Sequence, residues 1–443
     1  MTTARDELLG HIDDPTYHEL TRAYLEPLWL EAANERLALQ RERIPVLGKL
    51  ADDVGISEIR SLEDLVPLLF AHSSYKSYPD AFIRGGRWDL MTAWLDTLSS
   101  SRIAGVDVSG VSDQDEWVER LREHDHWIFV TSGTTGKNSF LPGTRVDRDF
   151  SLRMLEQSTR NNYGGSEGQR AVFVLGPKFG PHRSALHFRT IAETYGRPDA
   201  RFYLTEEPLR ASEVGQMAEL QRKLVAGTAK PSEITAAERQ QAERQAEMAA
   251  RLDELVDALL EHRHEPMIIC GFWAQYWTVV EAARARGIPP GDFHPDIQLS
   301  GGGGNKGGNL PPDYKEQILA FFGIPPEKMR NGYSMSELSA PLTAIDGRFR
   351  SLPWVIPLVL DDSGEKLVHQ ESGQVAGRFA FLDLATDGRW GGLVTGDRVV
   401  ADFDTPNVSI LADSITRYSL EQGGDDKLTC AGTIDAYVRG VIA

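Results

Sequence analysis

Cysteine is nearly absent from this chain. Only Cys270 and Cys430 occur among 443 residues, which is too few for a disulfide framework, and no group of Cys and His has the spacing of a zinc site. A reducing cytoplasm is therefore the expected compartment, because oxidising compartments favour disulfide-rich chains.

Positive charge and long apolar runs are also scarce. The formal net charge is −18, with 47 Lys and Arg against 65 Asp and Glu. Such an acidic chain is a poor partner for nucleic acid or an anionic membrane, although one local basic pocket can still hold an anion. Apolar runs such as WVIPLVL at 354–360 are too short to cross a bilayer, and the polar N-terminus predicts no signal peptide.

The pattern of the sequence predicts an α/β protein in three parts. Residues 1–100 have a helical, aromatic-rich pattern, and residues 346–443 predict a smaller β-rich subdomain. Residues 101–345 predict an α/β core, because short apolar runs that end in glycine alternate with helical stretches. Within this core, residues 211–264 are polar and helical, and fit either a helix packed on the sheet or a partner-binding coil.

A strand-like run, WIFV at 127–130, leads directly into TSGTTGK at 131–137. Glycines in such a loop let backbone N–H groups approach phosphate oxygens, hydroxyls donate hydrogen bonds, and lysine adds charge. The loop is not a Walker A motif, because Thr131 replaces the first glycine and Asn138 follows the lysine. The predicted phosphate-binding loop consists of Thr131, Ser132, Gly133, Thr134, Thr135, Gly136 and Lys137.

This loop resembles the phosphate loop of the adenylate-forming superfamily, which contains acyl-CoA synthetases, adenylation domains and luciferases. Three later segments resemble further motifs of that superfamily in the expected order. They are the glycine-rich LSGGGGNKGG at 299–308, NGYSMSE at 331–337, which is similar to Tyr-Gly-x-Thr-Glu, and VTGDRV at 394–399, which is similar to Thr-Gly-Asp. The resemblance runs from about residue 125 to 440 and implies the large N-terminal domain of the superfamily, with stacked sheets, helices and a β-rich subdomain.

The resemblance implies a role for each matched residue. Tyr333 is expected to stack on adenine, Ser336 to contact the α-phosphate, Glu337 to hold Mg²⁺ and Asp397 to take the ribose hydroxyls. An aromatic face suits a purine, a hard carboxylate suits Mg²⁺, and two carboxylate oxygens suit a vicinal diol. Ser334 departs from the usual glycine, and Ser336 replaces threonine but keeps the hydroxyl. The remaining expected contacts to nucleotide and acyl group come from Asn331, Gly301, Gly302, Gly303 and Gly304.

The acyl-protein synthetases, with the phenylacetate-CoA ligases as relatives, are the branch that the chain resembles most. CAGTIDAYVRG at 430–440 resembles a shortened hinge motif in which Thr433 replaces arginine. The sequence stops at Ala443, so the resemblance implies a member that lacks the usual C-terminal domain and its catalytic lysine. Lys137, Lys306 and Arg439 are the expected replacements for its positive charge, and a partner protein is another.

The implied reaction is the ATP- and Mg²⁺-dependent conversion of a small carboxylic acid to an acyl-adenylate, followed by transfer to a thiol, an amine or a carrier protein. His182 and His187 lie where the superfamily places a residue beside the acyl group, and both can also be structural. Two alternatives remain open. One is an ATP- or AMP-binding scaffold or regulatory protein without catalysis, and the other is a nicotinamide-dependent oxidoreductase built on the glycines at 302–307.

Overall fold

A computed structural model describes residues 2–131, 137–208, 230–302, 310–328, 332–368, 371–418 and 428. The chain divides into two compact units. The first contains Met1–Phe129, Ser139–Met154 and Gly332–Ala443, and the second contains Val130–Asn138 and Leu155–Asn331. The three-part division at residues 100 and 345 stays a prediction.

The fold is mixed α/β, as the sequence pattern predicts. The described helices are α1 (Ala4–Gly10), α2 (Arg22–Gln40), α3 (Pro45–Val54), α4 (Leu62–Leu65), α5 (Asp80–Arg84), α6 (Trp88–Asp96), α7 (Gln114–Glu123), α8 (Arg145–Tyr163), α9 (Arg183–Tyr195), α10 (Pro231–Glu261), α11 (Trp273–Ala285) and α12 (Tyr314–Phe322). Over the described ranges, no helix has the length and apolar character needed to cross a bilayer.

The strands form antiparallel and parallel sheets. They are β1 (Phe70–Ala71), β2 (Phe129–Val130), β3 (Phe140–Leu141), β4 (Arg170–Pro177), β5 (Gly196–Thr205), β6 (Met267–Phe272), β7 (Ile297–Gly302), β8 (Gly332–Tyr333), β9 (Leu342–Ile345), β10 (Arg348–Arg350), β11 (Val355–Leu360), β12 (Gln374–Asp383), β13 (Gly392–Asp402), β14 (Ser409–Leu411) and β15 (Thr416–Arg417).

The first unit contains the larger sheet. Its strand order is β11-β12-β13-β14-β10-β9-β8, and both β1 and β15 also pair with β13. The pairs are antiparallel except for β1 with β13. The long strand β13 therefore lies beside several other strands, and this arrangement places Asp397 next to residues that are distant in sequence.

The second unit is built on a parallel sheet in the order β5-β4-β6-β7. Side chains of β4 alternate between two buried clusters: Phe173 packs with α10, α11 and α12 on one face, and Val172 packs with α9 on the other. Because helices cover both faces, β4 and β6 contain the continuous apolar runs AVFVL and MIIC that the sequence pattern predicts. The edge strand β7 reads IQLSGG and is predicted from a shorter apolar run that ends in glycine. The edge strand β5 is partly exposed and more polar, so it lacks that signal.

Candidate active site

Two predicted nucleotide-binding residues, Tyr333 and Asp397, meet in the first unit. Tyr333 Oη donates a hydrogen bond of 2.6 Å to Asp397 Oδ2. Burial, followed by the negative charge of Asp397, raises the pKa of Tyr333 well above its usual value, so the phenol stays protonated and donates. The side chain of Asp397 is 6% exposed, so this contact holds a buried carboxylate in place.

Arg417 is a third member of this group, and the sequence motifs did not indicate it. It lies on β15 directly opposite Asp397 on β13, and its Nε is 3.0 Å from Asp397 Oδ1. A carboxylate has about four lone-pair positions. Tyr333 and Arg417 each occupy one position, on different oxygens, so each oxygen keeps further capacity to accept a hydrogen bond. Only the register of β13 against β15 reveals the role of Arg417.

The ring of Tyr333 is packed against other aromatic rings more closely than stacking on adenine allows. It is 8% exposed and contacts the rings of Phe349 and Phe379, with centroid distances of 5.9 and 5.6 Å. Stacking on adenine stays a prediction, and it requires the ring or its neighbours to move so that one face opens.

Ser336 and Glu337 lie in a turn after β8, with half-buried side chains. The carbonyl of Glu337 accepts a hydrogen bond of 2.8 Å from Arg389 Nη2, and Ser339 N donates one of 2.6 Å to the buried Asp383. These contacts fix the backbone on which Glu337 sits. Burial raises the pKa of Asp383, against the hydrogen bonds from Ser339.

Glu337 fits the predicted Mg²⁺ site by its donor chemistry. Among the residues that the structure describes, no group of three or more His, Cys, Asp or Glu side chains could hold a metal ion. A single hard carboxylate suits Mg²⁺, because this ion usually keeps several waters and takes further ligands from substrate phosphates.

The predicted phosphate loop begins in the second unit, where β2 ends. Val130 N donates to Pro181 O over 3.3 Å, and His182 Nδ1 lies 2.7 Å from Val130 O. Because a carbonyl only accepts, His182 Nδ1 carries the proton. His182 thus anchors the strand that leads into the loop, and its place beside an acyl group stays a prediction. Thr131 and Lys137 are half-buried, and Ser132, Gly133, Thr134, Thr135 and Gly136 lie outside the described residues.

His187 and Gly301 also belong to the second unit. Desolvation, with a smaller contribution from the positive charge of Arg183, lowers the pKa of the half-buried His187 well below its usual value, so the ring is neutral near pH 7. Gly301 has φ of +128°, and a Cβ there would lie 2.0 Å from Gly271 O and 3.2 Å from Phe188 Cζ. Only glycine fits this close approach of β6 and β7.

The other predicted residues give less structural information. Gly302 ends β7, and Gly303, Gly304, Lys306, Asn331 and Arg439 lie outside the described residues.

The nicotinamide alternative requires a helix that opens directly on the glycine loop. In the described part of the chain, the next helix after β7 is α12, which begins only at Tyr314. Residues 303–309, where a helix opening on the loop would begin, lie outside the described residues, and the nicotinamide alternative stays a prediction.

Comparison with known proteins identifies the fold. The sequence matches no family profile and no curated protein. Among solved structures, the chain is similar to a 2-hydroxyisobutyryl-CoA ligase in the postadenylation state in complex with R3-HIB-AMP, with a TM-score of 0.52 and 14% identity over 91% of this chain and 69% of the ligase. An open conformation of such a ligase, in complex with 2-HIB-AMP and CoA, gives a TM-score of 0.49 at 14% identity, over 91% of this chain and 77% of that one. The chain therefore has the fold of an adenylate-forming ligase.

Proposed function

We propose that this protein uses ATP to activate a carboxylic acid as an acyl-adenylate. The observation that carries the proposal is the buried carboxylate of Asp397, held by Tyr333 on one oxygen and Arg417 on the other. The remaining acceptor positions on the two oxygens suit the two vicinal hydroxyls of a ribose. The fold supports the same class of reaction.

In this reaction, a carboxylate oxygen attacks the α-phosphorus of ATP, and the bond from that phosphorus to the leaving pyrophosphate breaks. Both reactants are anions, so the protein must hold them in line and offset their charge. Asp397 would fix the ribose, Ser336 would contact the α-phosphate, and the loop at 131–137 would cradle the β- and γ-phosphates. Bound at Glu337, Mg²⁺ would neutralise charge on the phosphate oxygens.

Further positive charge would come from Lys137, Lys306 and Arg439. The neutral ring of His187 adds none, so its part in an acyl pocket would be to contact an uncharged portion of the acid. The second half-reaction would pass the acyl group to a thiol, an amine or a carrier protein, with release of AMP.

The decisive experiment is the exchange of labelled pyrophosphate into ATP in the presence of a panel of carboxylic acids. We expect exchange that depends on the acid, and a loss of about tenfold or more in Asp397→Asn, because one hydrogen bond to a charged group is worth about 1.5–3 kcal/mol. Asp199→Asn is the matched control, since Asp199 is 82% exposed and lies on the other unit.

The alternatives give different results in the same assay. If the protein binds ATP but shows no pyrophosphate exchange with any acid, the result would indicate the scaffold protein. If it shows neither ATP binding nor exchange, the oxidoreductase would be the remaining alternative. Equal exchange by Asp397→Asn and the native protein would remove Asp397 from the site.

A further inference from the structure

A cavity of about 530 Å³ lies within the first unit, and its lining residues fall within 86–93 and 104–111. None of these residues belongs to the motifs discussed above. The volume is in the range of small-molecule sites, which is about 300–1,000 Å³. Small apolar side chains such as Ala93, Val106 and Val108 form much of the wall.

Both walls of this cavity are held in place by the fold. One wall is the start of α6, and the other is the loop that follows it. Asp96 Oδ1 at the end of α6 accepts a hydrogen bond from Ile103 N over 2.5 Å, and Arg120 Nη1 on α7 donates to Asp107 O over 2.8 Å. These two hydrogen bonds tie the loop to α6 and α7.

One residue that lines the cavity, Trp88, has a buried donor without an acceptor among the described residues. Trp88 is 4% exposed, and among the described residues its Nε1 has no hydrogen-bond partner. Its neighbour Trp117, stacked on it at 6.2 Å, donates to Thr92 Oγ1 over 2.9 Å. Other buried indoles also donate to the protein, namely those of Trp29, Trp94, Trp354 and Trp390. Since buried donors are normally satisfied, the exception at Trp88 indicates a missing acceptor.

Gly86 lies beside this indole nitrogen at the cavity wall. Its φ is +62°, and a Cβ there would lie 3.8 Å from Trp88 Nε1, with no other heavy atom within 4 Å. Glycine thus leaves the space next to the N–H open, where a larger side chain would cover it.

The charged side chains that line the cavity are acidic. The lining, all of it within the described residues, contains Asp89 and Asp107 but no Lys, Arg or His. Arg87 binds both oxygens of Asp89, at 3.0 and 2.7 Å. Asp107 is exposed, and hydrogen bonds from Ser109 lower its pKa, so it is charged at neutral pH and can accept further hydrogen bonds.

We propose that this cavity binds a small organic amine with a carbonyl group and a short apolar body. The carbonyl accepts the hydrogen bond from Trp88 Nε1, the ammonium group pairs with Asp107, and the apolar body contacts Ala93 and the valines. The acidic lining favours this cation over the carboxylate substrate proposed above for the nucleotide site.

Leucinamide contains these three groups and is the probe for the test. The full-length protein is labelled with ¹⁵N at the tryptophan indoles, and Trp88→Phe assigns the Trp88 resonance among those of the nine tryptophans. We expect leucinamide to shift the Trp88 indole N–H resonance saturably, and N-acetylleucine, which is an anion, to leave it unchanged. An unmoved Trp88 resonance at saturating leucinamide would overturn the proposal.

Two variants and one analogue separate the contributions of the ammonium group and the apolar body to binding in the cavity. Asp107→Asn should weaken leucinamide binding about tenfold, as the loss of a charge-assisted hydrogen bond predicts, and Ala93→Leu should reduce it further by filling the cavity. Both residues are at least partly exposed, so the variants should fold. Equal binding of 4-methylpentanamide, which lacks the amine, or full binding by Asp107→Asn would refute the amine assignment.

Discussion

Removing the guanidinium of Arg417 should weaken nucleotide binding specifically through the ribose. Two unit charges about 4 Å apart attract by about 4 kcal/mol at an effective dielectric constant of about 20. Arg417 is 60% exposed, and its Nε is 3.0 Å from the buried Asp397. Because solvent screens an exposed partner, we expect Arg417→Gln to cost about 1 kcal/mol, or about fivefold in the dissociation constant of ATP.

The assay compares ATP with 2′,3′-dideoxy-ATP by titration calorimetry. If Arg417 orients the Asp397 carboxylate toward the ribose, the variant should lose affinity for ATP but not for the analogue, which has no hydroxyls to contact Asp397. Arg417→Lys keeps the charge without the fixed geometry of Nε, so its loss should be intermediate. Arg60→Gln is the control, since the Arg60 side chain is 78% exposed and pairs with Glu58, a surface glutamate.

Equal losses for ATP and the dideoxy analogue would refute this reasoning, because they would show that Arg417 acts on the fold or the phosphates rather than on ribose recognition. Unchanged affinity for ATP would refute it as well. A loss of secondary structure in Arg417→Gln, measured by circular dichroism, would mark a folding defect, and Arg417→Lys would then be the variant that decides.

Three further results are expected. Lys306→Met should reduce the rate of acyl-adenylate formation in a single-turnover assay well beyond any change in ATP affinity, and an unchanged rate would remove Lys306 from the catalytic residues. Gly301→Ala should destabilise the protein by about 3 kcal/mol or more in urea unfolding, because its Cβ would lie 2.0 Å from Gly271 O. In the control variant Gly287→Ala, the glycine has φ of +77° but open space around it, so the substitution should cost only about 1 kcal/mol. Equal costs for the two variants would contradict the steric argument. His187 has a lowered pKa in the folded protein, so the unfolded chain binds more protons below pH 6.5 and stability falls as the pH drops below that value. His187→Gln should therefore lose less stability than the native protein between pH 7 and 5, and parallel losses in urea unfolding would show that His187 is not the cause.

Much of the second unit could be predicted from the sequence. Its strands β4 and β6 contain apolar runs because helices cover both faces of the sheet, and this burial is visible in composition alone. Strand β5 escaped prediction because an edge strand keeps one side accessible and carries polar residues. The helix α10 is long and polar, with late apolar residues such as Val256 and Leu259 packed on the sheet.

The candidate site was predictable to the extent that its residues sit in short local motifs. Tyr333, Glu337 and Asp397 were named from such motifs, whereas Arg417 has no motif and is selected by strand register. The lone indole N–H of Trp88 likewise has no sequence signal, because whether a tryptophan finds an acceptor depends on the chain that packs around it.

The sequence by itself determined the α/β class, the buried strands and the positions of the glycine- and hydroxyl-rich segments, since these follow from local composition and periodicity. Only the tertiary structure decided which distant side chains contact the same carboxylate, which glycine has no room for a methyl group and which buried donor lacks an acceptor. These are properties of atoms brought within about 4 Å by strand pairing and packing, and no local pattern encodes such proximity.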